Sequence, residues 1–353
     1  MSPSNRRQFL ATAALGLGAV AQAQLPKGRI RTGILGIQHS HLMGKLQAMY
    51  DNPDYEVVAV CEPDEATRRN RGSQELLRRL PAVSMDEMLG DKSLDLVVFE
   101  GEVKDAVPFA RRVLSAGKHL HLEKPPANKL EPFREVVEMA RTRNLRLQLG
   151  YLWRFHAGVD AALDAFRQGW LGELLMIRAT ISSDRGPEQR AVEARYPGGS
   201  MFELGGHMID RIIAFLGRPA RVQHWLRHDT GIRDTLKDNT LAVFEYPSAL
   251  ALVVSSARVA GAEAQRSLEV IGTDGSIMIQ PMEPAPALRI HMRAARGPYK
   301  AGSQEIKLAG QPRFIRDFQE LARAIKSGSE LQYSYDHELL LQETLLRASG
   351  EIG

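Results

Sequence analysis

The sequence predicts an α/β protein in two parts: a doubly wound parallel sheet, then an α+β domain built on a mostly antiparallel open sheet. Three observations carry this. Between residues 29 and 150, short apolar runs alternate with helical stretches, as in successive parallel βαβ units. Beyond residue 150 several runs follow one another through short turns, which suits antiparallel pairing. The chain has 353 residues, 44% hydrophobic and 25% charged, which is enough for two globular cores.

In the first part, strands are expected at residues 31–37, 56–61, 95–99, 119–122 and 145–149. Helices are expected at 42–50, 65–79, 103–116 and 132–143, with a short one opened by the capping box Ser84-x-x-Glu87. After a boundary at Gly150 come a helix at 157–168, a long strand at 174–183 and an irregular stretch at 184–199. A helix at 200–216 stops at Gly217. Strands at 221–227, 241–245, 249–255, 267–271 and 276–279 follow, and helices at 314–326 and 337–348 close the chain. The expected domains are therefore 28–150 and 151–353.

Residues 1–24 read as an export signal rather than as part of the fold. Asn5-Arg6-Arg7-Gln8-Phe9-Leu10 precedes an uncharged run from Ala11 to Ala21, and Ala21-Gln22-Ala23 fits a small-residue cleavage site. The paired arginines resemble a twin-arginine signal, which implies export of a folded protein to the periplasm. The apolar run is too short to span a bilayer, so release is expected, with no membrane partner after cleavage. A net charge of +4, with acids interspersed, leaves no nucleic-acid footprint. The single cysteine, Cys61, excludes an internal disulfide and a cysteine-rich metal site.

Four stretches carry chemistry-bearing residues. Gly117 to Pro126 (GKHLHLEKPP) places Lys124 where proline forces a strand to stop. At the carboxyl end of a parallel strand that lysine faces the ligand crevice, although a solvated turn lysine would look the same. Gly33-Ile34-Leu35-Gly36-Ile37-Gln38-His39-Ser40-His41 lies where a glycine-rich dinucleotide fingerprint belongs, but only Gly36 keeps the register and Gln38 and His41 replace the later glycines. A metal on His39 and His41 is disfavoured because no matched acid lies nearby in sequence. Glu62, ending the second strand, suits an adenosine ribose and would repel a 2′-phosphate, which favours NAD over NADP. Glu203, His207 and Asp210 fall at i, i+4 and i+7, so on an α-helix they share one face, as a carboxylate-held acid/base or as a satisfied core histidine.

Taken together, the motifs resemble the glucose-fructose oxidoreductase and inositol dehydrogenase family, Gfo/Idh/MocA. Glu123-Lys124-Pro125, Gly150 with Arg154-Phe155, Gly198-Gly199 through His207 and Asp210, Asp238-x-Thr240 and Gly272-Thr273-x-Gly275-Ser276 stand in family order. The resemblance implies a Rossmann domain that binds NAD, followed by a substrate domain. It implies hydride transfer between a tightly held nicotinamide and a secondary hydroxyl of a sugar or polyol. Lys124 would position the hydroxyl, His207 would be the base, and Glu203 would stand in for a helical aspartate. Gly36, Gln38, His39, Ser40, Glu62, Glu100, Glu123, Lys124 and Pro125 would line the cofactor, with Glu100 bringing negative charge toward the nicotinamide. Tyr151, Arg154, Glu203, His207 and Asp210 would join Lys124 around the substrate. A homo-oligomer is also implied. Two alternatives stay open: a redox-neutral glycosidase working through a 3-keto intermediate, and a carbohydrate-binding relative without NAD.

Overall fold

The computed structural model describes residues 28–353, so the export-signal reading of residues 1–24 lies outside the described residues. The first half runs β1 (Ile30–Leu35), α1 (Leu42–Tyr50), β2 (Tyr55–Cys61), α2 (Glu65–Arg71), α3 (Met85–Gly90), β3 (Leu96–Phe99), α4 (Val103–Ser115), β4 (His119–Leu122), α5 (Leu130–Thr142) and β5 (Leu147–Leu149). The second half runs α6 (Ala157–Arg167), β6 (Leu174–Thr180), α7 (Pro187–Glu193), a π-helical turn (Met201–Gly205), α8 (Gly206–Leu216), β7 (Arg221–Arg227), β8 (Asn239–Glu245), β9 (Leu250–Ser256), α9 (Ala262–Gln265), β10 (Ser267–Gly272), β11 (Gly275–Ile279), β12 (Ala287–Met292), β13 (Gly302–Lys307), α10 (Ile315–Ser327) and α11 (Tyr335–Ala348).

Strands β1 to β5 form one sheet in the order β2-β1-β3-β4-β5, with every pair parallel. β3 and β4 are buried at every position, as expected of strands covered by helices on both faces. Strand order reverses between β1 and β3, so the crevice outside the carboxyl ends of β1, β3 and β4 is the place where such a sheet binds ligands. The remaining strands form an eight-stranded sheet, β13-β12-β11-β10-β6-β9-β8-β7. Only β6–β9 is parallel; all its other pairs are antiparallel. The α+β architecture expected from sequence is therefore observed. Helix α11 packs on α5 of the first sheet and on α8 of the second, tying the halves together.

Four local expectations differ. The helix expected over 65–79 stops at Arg71, where Gly72 and Ser73 interrupt it, and the chain then turns to bury Leu77. The stretch 184–199 contains α7, whose Pro187 occupies the first turn, where proline's missing N–H costs nothing. Strands β12 and β13 went unforeseen; β13 reads Gly-Ser-Gln-Glu-Ile-Lys, a polar edge strand with almost no apolar signature. The helix expected over 200–216 is two windings, a π-helical turn before Gly206 and an α-helix after it. No helix among the described residues is long and apolar enough to cross a membrane.

β4 places two imidazoles inside this fold. His119 Nδ1 accepts from the Arg146 amide at 2.9 Å, and His121 Nδ1 donates to Gln148 Oε1 at 2.9 Å. Burial, followed by the nearby cation Arg146 for His119 and Lys45 for His121, depresses them to about 4 and about 3. Both stay neutral in the fold while the same residues in the unfolded chain take up protons below their ordinary 6.5. The unfolded state then binds the extra protons, so the two rings' contribution should be fully present above pH 6.5 and be lost as pH drops toward 4. Their share of the slope should approach about 2.7 kcal/mol per pH unit where both differ fully. Urea unfolding of the parent, His119→Gln and His121→Gln at pH 7, 6 and 5 checks this; a pH slope unchanged in both variants would show that the rings charge freely inside the fold.

Candidate active site

β1 ends in a turn that only glycine can make. Gly36 has φ +81°, and a Cβ there would lie 2.8 Å from the Gly101 nitrogen, after β3. The next amides, Gln38 N and His39 N, both donate to the Glu100 carbonyl at 3.0 and 2.9 Å, pinning the loop to the end of β3. Gln38 is held toward α2, its side-chain amide 3.5 Å from Thr67 Oγ1 and its carbonyl accepting from Arg71. Ser40 is exposed ahead of α1. Glu62, ending β2, takes the Ile37 amide on Oε2 at 2.8 Å and the Asp64 amide on Oε1 at 2.9 Å. It borders a cavity of about 500 Å³ together with Ile37, Arg68, Arg78 and Ser84. A glycine turn, an exposed helix start and an acid at a cavity beside β2 fit the adenosine half of a dinucleotide.

Below the loop lies a buried charge cluster. Lys45, on α1 and without solvent exposure, bonds Glu100 Oε1 at 2.5 Å and also Glu123. Burial pushes the Glu100 carboxyl up against the pull of Lys45. Burial would raise Glu123 too, but His39, Lys45 and His41 outweigh it and hold that carboxyl well below the usual range. Glu100 and Glu123, expected from the sequence beside the cofactor, are both buried and both paired with Lys45, and among the described residues Glu100 Oε2 has no hydrogen-bond partner.

His41 Nδ1 lies 3.2 Å from Glu123 Oε1, and His39 Nε2 lies 3.7 Å from the same oxygen. The acid that sequence spacing could not supply to these histidines thus comes from the end of β4. Even so, the set does not suit a cation. His39 Nδ1 accepts the His41 amide at 3.2 Å, which leaves the proton on the Nε2 that faces Glu123, and Lys45 takes the other Glu123 oxygen.

Lys124 follows Glu123 and reaches across to the second domain. Its Nζ donates to the Glu203 carbonyl at 2.9 Å and to Glu203 Oε1 at 2.7 Å, with Lys124 buried and Pro125 buried behind it. The π-helical winding explains the pairing, since a wide turn changes the α-helical spacing and frees a carbonyl. Glu203 thus holds Lys124, not His207 as the i, i+4 spacing suggested. His207 is 2% exposed, packed beside Tyr151, Trp153 and His41 with ring centroids 5.7, 5.9 and 6.4 Å away. Burial, then Lys124 and His41, hold His207 well below its ordinary value, so the ring is neutral. Its Nδ1 accepts the Leu152 amide at 3.1 Å, so the proton sits on Nε2.

Arg154 and Asp210 belong elsewhere. Arg154 makes paired bonds to Asp210, at 3.0 and 3.1 Å, and to Glu338, at 2.6 and 2.7 Å. Asp210 also accepts from Arg211 and from His337 Nε2 at 2.6 Å. All four charged side chains are almost fully buried, so the carboxylates have no capacity left for substrate, and both residues are corrected from substrate contacts to an internal brace. Tyr151 is fully buried with its hydroxyl unpartnered, packed against His207.

Sequence reasoning missed the His41–Glu123 pair, along with Trp153, Phe314 and Glu193. Trp153 and Phe314 are non-glycine residues at φ +66° and +70°, conformations that cost energy and cluster at functional sites. They line a cavity of about 380 Å³ with Phe155, His156, Glu283 and Arg313, beside the His207 and His41 rings. No sequence signal marks a positive φ on an aromatic residue. Glu193 is buried on α7 and bonded to Arg185 at 2.5 Å; burial pushes it up to about 7.

Two family models match the chain: "Oxidoreductase family, NAD-binding Rossmann fold" over residues 30–151 and "GFO/IDH/MocA C-terminal domain" over residues 159–278. The chain belongs to the Gfo/Idh/MocA family. It is 28% identical over 206 residues to a dTDP-3,4-didehydro-2,6-dideoxy-alpha-D-glucose 3-reductase of Streptomyces violaceoruber, covering 57% of this chain and 59% of the reductase. It is 25% identical over 332 residues to an uncharacterised oxidoreductase of Rhizobium meliloti, covering 92% and 98%. Among solved structures, the aldose-aldose oxidoreductase of Caulobacter crescentus complexed with glycerol superposes with a TM-score of 0.77 at 21% identity, covering 92% of this chain and 98% of that one. A 3-ketoreductase of Actinomadura kijaniata in complex with NADP and TDP-benzene gives 0.73 at 20%, covering 89% and 95%. The chain is thus a member of an NAD(P)-binding oxidoreductase family.

The brace can be separated from the site. Arg154→Met leaves Asp210 and Glu338 short of a buried counter-charge and should cost about 3–5 kcal/mol of stability. Below its lowered melting point the variant should keep nucleotide affinity within a few-fold of the parent. Urea unfolding with equilibrium dialysis of nucleotide tests both parts, and parental stability in the variant would show that Arg154 does not brace the fold.

Proposed function

We propose that this protein transfers hydride between a tightly bound nicotinamide nucleotide and a secondary hydroxyl of a sugar or polyol. The observation that carries the reading is the meeting of Lys124, from the carboxyl end of β4, with Glu203 and the neighbouring His207 from the second domain, at the crevice of a parallel sheet. The Gly36 turn, the Ser40 amide region opening α1, and Glu62 would hold the nucleotide. When bound it supplies the hydride acceptor or donor. Glu62 at the ribose position favours NAD over NADP.

The chain's own groups account for substrate orientation. An ammonium has three protons; two of those on Lys124 go to Glu203, and the third is available to a substrate oxygen. His207 Nε2–H is a second donor, so the two would bracket a hydroxyl or carbonyl oxygen and steady negative charge as it develops there. The nearby cavity, with Trp153, Phe155 and Phe314 as apolar walls and Glu283 and Arg313 as polar ones, suits an amphipathic pyranose. Export by a twin-arginine route to the periplasm, as residues 1–24 suggest, would suit a protein that keeps its cofactor bound. A redox-neutral glycosidase is the second reading. It is favoured by Glu193, a carboxyl on α7 paired with Arg185 that burial nevertheless pushes up to about 7, the kind of acid that can protonate a departing oxygen.

Protein loaded with NAD⁺ and mixed with each of a panel of aldopyranoses and myo-inositol should show single-turnover absorbance at 340 nm with at least one of them. Lys124→Gln and His207→Gln should each slow that step by about 100-fold or more while nucleotide remains bound. Variants that release the nucleotide, or that reduce it at the parental rate, would defeat these assignments. Release of 4-nitrophenol from 4-nitrophenyl glycosides without net cofactor reduction would select the second reading.

A further inference from the structure

The loop between β7 and β8 encloses an imidazole with no lone pair to spare. We infer that His228, as a cation protonated on both ring nitrogens, is a positioning residue that pins this loop and, through it, the turn that carries Glu203. The inference goes beyond the oxidoreductase reading and stands apart from it, since it concerns where Glu203 is held.

The argument starts from what each ring nitrogen meets. Gly231, at φ +70°, turns the chain within residues 228–238, and two carbonyls of the same loop close on the ring. The Leu236 carbonyl lies 2.8 Å from His228 Nδ1, and the Ile232 carbonyl lies 2.9 Å from Nε2. A carbonyl oxygen only accepts, so both nitrogens must donate, and an imidazole with two N–H groups carries a positive charge. A neutral ring would set a lone pair against one of those oxygens. Asp238 Oδ2 and Asp234 Oδ1, at 3.3 and 3.6 Å from Nδ1, supply the opposite charge.

The charged groups around the ring are these two aspartates, one in the loop and one just before β8, and Arg190 of α7 behind them. Arg190 bonds Asp234 at 2.6 and 3.0 Å and Asp238 at 2.8 Å. Arg227, at the end of β7, is occupied by Asp229 at 3.0 Å. His228, Asp234 and Asp238 have the composition of a metal site, but both ring nitrogens are engaged by carbonyls, and Arg190 already supplies the cation that the carboxylates need. The Leu236 carbonyl foremost, then Asp238, the Ile232 carbonyl and Asp234, raise the ring above its ordinary 6.5 against the effect of burial. A raised value means that the pin is complete below pH 6.5 and is lost as pH rises through that value. The side chain is 27% exposed, so the ring can trade its proton with solvent while the fold stays closed.

What the loop holds lies next to the site. The Lys237 carbonyl accepts the Ser200 amide at 3.0 Å, and Gly199 leaves the room for it, since a Cβ there would lie 2.5 Å from that oxygen. Ser200 opens the π-helical turn, and Glu203, three residues on, bonds Lys124. The Arg190 pairs tie the same loop to α7, which carries Glu193. One proton on His228 therefore steadies the base of the turn from which Glu203 reaches Lys124.

Two measurements test this on the full chain. In protein labelled with ¹⁵N-histidine, with His228→Gln assigning the signals, both ring nitrogens of His228 should carry protons and the second should be lost with a midpoint above pH 6.5. In hydrogen exchange corrected for the intrinsic rate at each pH, the Ser200 and Glu203 amides should be about tenfold better protected in the parent than in His228→Gln at pH 6. That ratio should approach one as the ring gives up its proton, and in the parent alone the protection should fall along the same titration curve. A midpoint at or below 6.5 would overturn the charge assignment. Protection in the parent that is indifferent to the titration of the ring, or a parent-to-variant ratio equal at every pH, would overturn the positioning role.

Discussion

Two carboxylates at the ends of adjacent parallel strands share one buried cation, and the crevice is built outward from that arrangement. An uncompensated carboxylate in such surroundings would cost several kcal/mol, so Glu100, Glu123 and Lys45 form a unit in which removing one charge strands another. Lys45 fixes how α1 sits over the sheet. The Glu100 carbonyl then receives two amides of the β1–α1 loop, Glu123 aims His41, and Lys124 leaves β4 already directed at the second domain. The absence of a side chain at Gly150 belongs to the same unit, because that is the space the charges fill.

Much of the fold was legible in the sequence because its signals are local. Strand and helix alternation up to Gly150, the capping box at Ser84 and the forced stop at Lys124-Pro125 depend on near neighbours, and the structure reproduces them. β13 was hidden because an edge strand lacks the apolar alternation that marks a half-buried one. The winding change at Met201–Gly205 was hidden because an i, i+4 count presumes an α-helix.

The site was legible in its residues and less so in their partners. Lys124, Glu203 and His207 were found and do gather, yet the sequence paired Glu203 with His207 where the fold pairs it with Lys124. Arg154 and Asp210 looked like substrate groups because a charge in a motif is naturally read as facing a ligand; the fold instead sets them against each other and against Glu338, 184 residues from Arg154. Lys45 looked like one more helix lysine. Long-range charge pairing of this kind leaves no periodicity, so nothing in the sequence pointed to the Lys45–Glu100 pair.

The Lys124–Glu203 contact spans the two domains, so under the proposed chemistry the donor pair depends on interdomain geometry. Hinging the domains apart would withdraw the ammonium from both its acceptors in a single movement, leaving a cation that must be rehydrated and a carboxylate without a counter-ion. An open molecule would therefore be chemically idle while still able to exchange ligands, and assembly of the donor pair would itself report that the cleft has closed.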